Sequence, residues 1–463
     1  ASNIAPGDTN GTNDIYRVDL LTREVELVSS KADGSVSTGP NVGLIASSSD
    51  DGRYVVFDGQ STDLVPGDTN GVQDIFVKDV ETGRILRVST AADGTQGNGD
   101  SLTPAISHDG RFVSFMSNAS NLVANDTNGT TDVFLVDLAQ SGFWQGLEKS
   151  GDNIQVNTQS SGDQYIAFTA TLDQDRFLIV WTDLSDQQVK GQIFDASGAK
   201  SGGEFSIMPS SSNGFDSGLL TLQNGDLLFY QGASPDFGKI IHSDGTVASG
   251  FVPKTMNVSG YVYDAALPGG GFVIAASVNG YIDIGVQAYG ADGSPVGPAF
   301  IVSSGTFNEF VNKEVVAFGD GSYGLLYDQN SSGLLLQHFD VSGHAAGPPV
   351  LISLSLSDIN FHSQIDAALL DDGRAFVAWA QDDYIHGRFF DSHGAALGQE
   401  FTIASSAPAG QNWPHITVTI DDQIAVSWTV NGTLYSKMMT PDGASIGETV
   451  ALTSSVSIGW NVY

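Results

Sequence analysis

The chain has 463 residues with 53 Asp plus Glu against 18 Lys plus Arg, so its formal net charge is 18 − 53 = −35. A surface this acidic repels nucleic acid and anionic membranes and suits cations, high salt or plain solubility. There is no cysteine, which excludes disulfides, thiolate metal sites and a cysteine nucleophile. No apolar run reaches the ~20 residues of a membrane span. The 55 glycines and an acidic surplus made mostly of Asp beside Gly or Asn predict an all-β chain rich in turns.

In chain order, the first element is an acidic loop, "GDTNGTNDIYRVD" from Gly7. It opens in mid-repeat, as expected of a processed or excised fragment. The loop returns as "GDTNGVQDIFVKD" from Gly67 and "NDTNGTTDVFLVD" from Asn125. Asp8, Asp68 and Asp126 correspond, 60 and 58 residues apart. Between the loops lie "SSSDDGRYVVFDG" from Ser47 and "AISHDGRFVSFMS" from Ala105, each a D-G turn feeding an alternating strand. Four short strands per unit result.

From about residue 153 the unit shortens. Trp181, Tyr230, Ala276, Tyr327, Trp379 and Trp428 end equivalent strands, spaced 49, 46, 51, 52 and 49. Gly198, Gly245, Gly293, Gly343, Gly394 and Gly443 close equivalent turns in the same phase. Four-stranded units at this period predict a β-propeller, because one small sheet cannot bury both faces alone. We expect eight or nine blades in one ring, with a composite blade pairing residues 14–30 with the tail "SVSIGWNVY"; the alternative is two propeller modules. The change of repeat divides the chain into 1–142 and 143–463.

The phrases "SNASNLVANDTNGTTDVFLVDLA" and "PAISHDGRFVSF" resemble the TolB-like propeller repeats of bacterial extracellular proteins. The later units resemble propeller-type repeats of large secreted bacterial proteins that often carry RTX-type calcium tracts. The resemblance implies an exported, extracellular or cell-surface setting. It implies no activity, since propellers host many functions.

The loop D-T-N-G-x-x-D is a candidate calcium site. Calcium takes six to eight hard oxygens, and Asp, Asn, a backbone carbonyl and a second Asp can supply them if glycine lets the loop curl. The expected ligands are Asp68, Asn70, the Val72 carbonyl and Asp74, with Asp8, Asn10, Thr12, Asp14 and Asp126, Asn128, Thr130, Asp132 in the other copies. The alternative is a bare Asn-Gly turn whose aspartates bond nearby N–H groups.

The phased aromatics are expected to fill the space between blades. Trp144, Trp413 and Trp460 lie off that phase and are weak ligand candidates. His362, His386 and His393 share one unit with Asp382, Asp383 and Asp391, in no recognisable ligand spacing. "GDGSYG" from Gly319 satisfies a nucleotide-binding pattern but has no following helix.

The expected function is a calcium-stabilised extracellular bacterial propeller, serving as a binding, adhesion or surface-structural module with a glycan or protein ligand. One alternative is a secreted propeller enzyme acting on polysaccharide or phosphoester. Another is a subunit of an extracellular assembly that joins through an incomplete terminal blade.

Overall fold

The computed structural model describes residues 9–12, 14–19, 24–39, 45–138, 149–158, 162–173, 176–210, 217–231, 236–253, 255–256, 258–279, 283–303, 313–328, 333–353, 365–381, 384–405, 414–419, 421–430 and 433–451. Every regular element among them is a strand. None is a helix long and apolar enough to cross a membrane.

The strands form eight four-stranded antiparallel sheets, each in simple sequential order, and one two-stranded hairpin, Tyr16–Val18 with Val25–Leu27. We number the sheets in chain order: blade 1 (46–87), blade 2 (101–155), blade 3 (164–209), blade 4 (217–253), blade 5 (258–303), blade 6 (313–353), blade 7 (365–405) and blade 8 (415–451). The fold is a β-propeller of four-stranded blades, as the repeat count implies. Of the expected composite blade, the Tyr16–Val18 and Val25–Leu27 hairpin is described, while the tail "SVSIGWNVY" lies outside the described residues.

The chain divides into two compact units, one holding Glu24–Gly214 and the other Phe215–Val456. The change of repeat type thus falls inside the first unit, and blade 3, of the shorter type, belongs with blades 1 and 2. Within each unit the first strands of successive blades adjoin.

Burial explains the sequence pattern. The second strands Tyr54–Gly59 and Phe272–Val278 are buried at every position, because alternate side chains of each enter a different apolar cluster on either face of the blade. Alternation appears in the third strand Tyr384–Phe390, and the fourth strands Lys200–Pro209 and Val350–Ser353 reach solvent. The phased aromatics do fill the seams. Trp181 packs with Phe112 and Val133 of blade 2, Trp379 with Leu326 of blade 6, and Trp428 with Phe376 of blade 7. Emptying such a site by truncation to Ala costs roughly 3–5 kcal/mol.

Polar groups tie the same seams. Lys437 Nζ donates to the Ile403 carbonyl at 2.7 Å, joining blade 8 to blade 7. Gly319 N donates to the Gly373 carbonyl at 3.0 Å, joining blades 6 and 7. Only glycine fits there: a Cβ on Gly319 would stand 2.6 Å from the Gly373 Cα.

Candidate functional site

The three acidic loops share one frame. In each the Asn-Gly glycine has positive φ, 71° at Gly11, 67° at Gly71 and 65° at Gly129. The preceding Asn closes the turn on itself. Asn10, Asn70 and Asn128 each accept an N–H two residues on, from Thr12 at 2.9 Å, Val72 at 3.4 Å and Thr130 at 3.0 Å. Their amide nitrogens donate to the final aspartate of the loop: to Asp14 at 3.4 Å, Asp74 at 2.9 Å, and both oxygens of Asp132 at 3.1 and 2.9 Å. The asparagine oxygen expected to face an ion is thus engaged in the turn. Asp8 lies outside the described residues.

Loop 67–74 is neutralised from within. Arg87 sits on the fourth strand of blade 1 and is 8% exposed. Its Nη1 lies 2.9 Å from Asp68 Oδ1 and 3.5 Å from Asp74 Oδ2, so one guanidinium serves both carboxylates. It also donates to Gln96 Oε1 at 3.2 Å. Gln96 in turn accepts Thr69 N and Asn70 N at 3.0 and 3.1 Å and donates to the Gly67 carbonyl at 3.1 Å. Ser89 Oγ donates to Asp74 Oδ1 at 2.5 Å. Burial pushes the Asp74 carboxyl up, against the lowering pull of Ser89, Asn70 and Arg87.

Loop 126–132 has the same two carboxylates, and the described residues place no arginine between them. The residue opposite Phe134 in the ladder is Gln155, where Arg87 stands opposite Phe76. In the first copy the same position, opposite Tyr16, is Leu27. Asp132 accepts the Asn157 amide at 2.6 Å, and Thr131 N donates to Asp163 Oδ1 at 3.1 Å. Among the described residues, no Lys, Arg or His side chain pairs with Asp126 or Asp132. Asp126 Oδ1 and Thr130 Oγ1 are both buried without a hydrogen-bond partner. Burial pushes the Asp126 carboxyl up, and the neighbouring Asp132 charge pushes it further.

These atoms fit a hard cation in loop 126–132. Two carboxylates, an unbonded hydroxyl oxygen and loop carbonyls are calcium chemistry, with water completing the shell. Among the described residues no group of three or more His, Asp or Glu side chains converges on a metal position. An ion here would lean on neutral oxygens. Loop 67–74 does not fit one, because Arg87 already stands between its carboxylates.

The described members of the histidine set do not converge on a metal position. His386 stacks on Trp379 at 5.8 Å between ring centroids, while His393 sits on an exposed turn beside Ser392. His362, Asp382 and Asp383, with Trp144, Trp413 and Trp460, lie outside the described residues.

A pair that sequence reading missed joins blades 7 and 8. Asp366 Oδ2 accepts the Ile416 N–H at 2.6 Å and lies 3.1 Å from His415 Nδ1. Asp366 raises the His415 pKa above its ordinary value. Asp366 and His415 are 49 residues apart, one repeat, and that shared phase was the available signal.

No protein-family model matches the chain, and no curated protein sequence matches it. Similar solved structures include the dihydro-heme d1 dehydrogenase NirN in complex with DHE, at 11% identity and TM-score 0.44, covering 98% of this chain and 77% of that one. The Dos1 propeller is similar at 12% identity and TM-score 0.39, covering 89% and 84%. A prolyl endopeptidase is similar at 13% identity and TM-score 0.39, covering 88% of this chain. The chain spans about half of that peptidase, 50% of its length.

Proposed function

We propose that this protein is a calcium-stabilised bacterial β-propeller of the extracellular space or cell surface, built from TolB-like and RTX-associated repeats. It acts as a non-enzymatic binding, adhesion or surface-structural module toward a glycan or protein. The observation that carries the calcium reading is loop 126–132, with two carboxylates in one turn, no cationic side chain paired with them among the described residues, and buried Asp126 Oδ1 and Thr130 Oγ1 left unbonded. Asp126, Thr130 and Asp132 would hold the ion, and Asn128 would keep the turn shaped around it. The first copy offers Asn10, Thr12 and Asp14, with Leu27 at the arginine position. A net charge of −35 and the lack of cysteine support an exported scaffold whose staples are ions rather than disulfides.

The test is thermal unfolding in millimolar calcium and in excess chelator, with metal counting. An ion that binds only the folded state adds about 2.7 kcal/mol at a hundred times its dissociation constant. We expect a calcium-dependent rise that Asp126→Ala removes in part or whole. No shift and no bound metal would leave the three loops as plain turns.

A further inference from the structure

A cleft of about 510 Å³ lies between the outer part of blade 1 and the start of the fourth strand of blade 2. Val65, Pro66, Ile85 and Leu86 give it an apolar wall, and Lys149 and Asp152 close the other side. Its size suits a small organic ligand. Arg87 also borders it, but that guanidinium is committed to Asp68 and Asp74.

Lys149 is the unusual group. It is half-buried and donates to the Thr90 carbonyl, which Asn153 Nδ2 also bonds at 2.8 Å. Burial pulls its pKa down to about 8, with the Asp152 charge pulling weakly the other way. Such an amine holds on the order of 100-fold more free base at pH 7.4 than a lysine titrating near ~10.4.

Lys78 shows what a purely structural buried lysine looks like in this fold. It is 1% exposed. Its ammonium donates to the Ser30 carbonyl at 2.9 Å, Ser30 Oγ at 3.1 Å and the Lys31 carbonyl at 3.1 Å. Three protons meet three acceptors, and Lys78 is not among the residues lining the cleft. Lys149 has one acceptor among the described residues and lines open space. One donated bond is what a neutral amine needs, and it leaves the lone pair for chemistry.

We propose that Lys149 is the reactive amine of a carbonyl-binding cleft, taking a small aldehyde or ketone as an imine. The Nζ lone pair adds to the carbonyl carbon, the carbinolamine forms, and its oxygen leaves as water with the two amine hydrogens. No oxidant or reductant is needed. The apolar wall favours a ligand with a short carbon skeleton. The charged neighbours in the cleft are Arg87 and Asp152.

The test is glyceraldehyde with sodium cyanoborohydride, which reduces the imine to a stable amine, followed by peptide mass mapping. We expect Lys149 to label at least ten times faster than Lys31, with a rate that saturates in aldehyde and a pH midpoint near 8. Lys78 should stay unlabelled. Lys149→Arg keeps a donor for Thr90 and should lose the label with its melting temperature little changed. If that variant does not fold, the wild-type concentration and pH profiles decide alone. A rate linear in aldehyde, labelling spread evenly over exposed lysines, or a midpoint near the ordinary lysine value would overturn the proposal.

Discussion

Loops 67–74 and 126–132 have nearly the same sequence, the same Asn-Gly turn and the same asparagine-to-aspartate bond, and they differ in what neutralises them. The first keeps a guanidinium 2.9 Å from Asp68. The second puts Gln155 at the equivalent rung and leaves Asp126 Oδ1 buried and unbonded. The lesson is that a repeated acidic motif does not fix its own counter-ion. That choice rests on one residue of a neighbouring strand, outside the motif.

The largest expected effect comes from removing the internal cation. Arg87→Leu, which copies the first repeat, leaves Asp68 and Asp74 facing each other in a buried site. We expect a loss of roughly 3–5 kcal/mol in urea unfolding. Arg87→Gln copies the third repeat and should cost a similar amount in chelator. Calcium should restore part of that loss, because the variant loop then has two carboxylates and no guanidinium between them. A variant as stable as wild type in chelator would break the comparison at its root.

Next is calcium itself on the unaltered protein. A gain of about 2.7 kcal/mol at a hundred times the dissociation constant is expected by linkage. Asp126→Ala should remove the share due to its loop, while Asp68→Ala should lower stability without changing the calcium response. The reciprocal transplant is Gln155→Arg. It should raise the melting temperature in chelator and blunt the response to calcium, since the new guanidinium takes the place of the ion.

Smaller is the role of the turn asparagines. Asn70→Ala and Asn128→Ala each remove bonds to a carboxylate and should cost about 1.5–3 kcal/mol if the partner stays charged. The cost at Asn128 should shrink in calcium, and that at Asn70 should not.

The smallest effect is on pH dependence. Burial and Asp132 raise the Asp126 pKa in the folded state, so that state holds its proton more tightly than the unfolded chain does. Stability without calcium therefore falls as pH rises from the ordinary aspartate value of ~3.9 through the folded value. Asp126→Asn should flatten that fall, seen in melts across pH 4 to 7 in chelator.

The propeller was legible because period is a property of sequence: Trp181, Trp379 and Trp428 keep phase, and each fills a seam between blades. The turn at Asn70-Gly71 was legible from local chemistry alone. The part played by Arg87 was not. It lies 13 residues beyond Asp74 and reaches the loop only through the register that sets it opposite Phe76. Laying "ILRVST" against "VELVSS" and "NIQVNT" would have shown arginine, leucine and glutamine alternating at one fixed phase. Gln96 was missed for the same reason, since its bonds to Thr69 and Asn70 cross a long loop. Strict alternation failed in second strands such as Tyr54–Gly59 and Phe272–Val278 because both faces of those blades are covered, which no single strand records.

The most direct measurement is a calcium titration by calorimetry, with ion counting, on wild type, Asp126→Ala and Asp68→Ala. We expect wild type to bind calcium, Asp126→Ala to lose one ion and Asp68→Ala to lose none. Binding lost on Asp68→Ala but kept on Asp126→Ala, or no calcium bound by the wild type, would contradict that expectation.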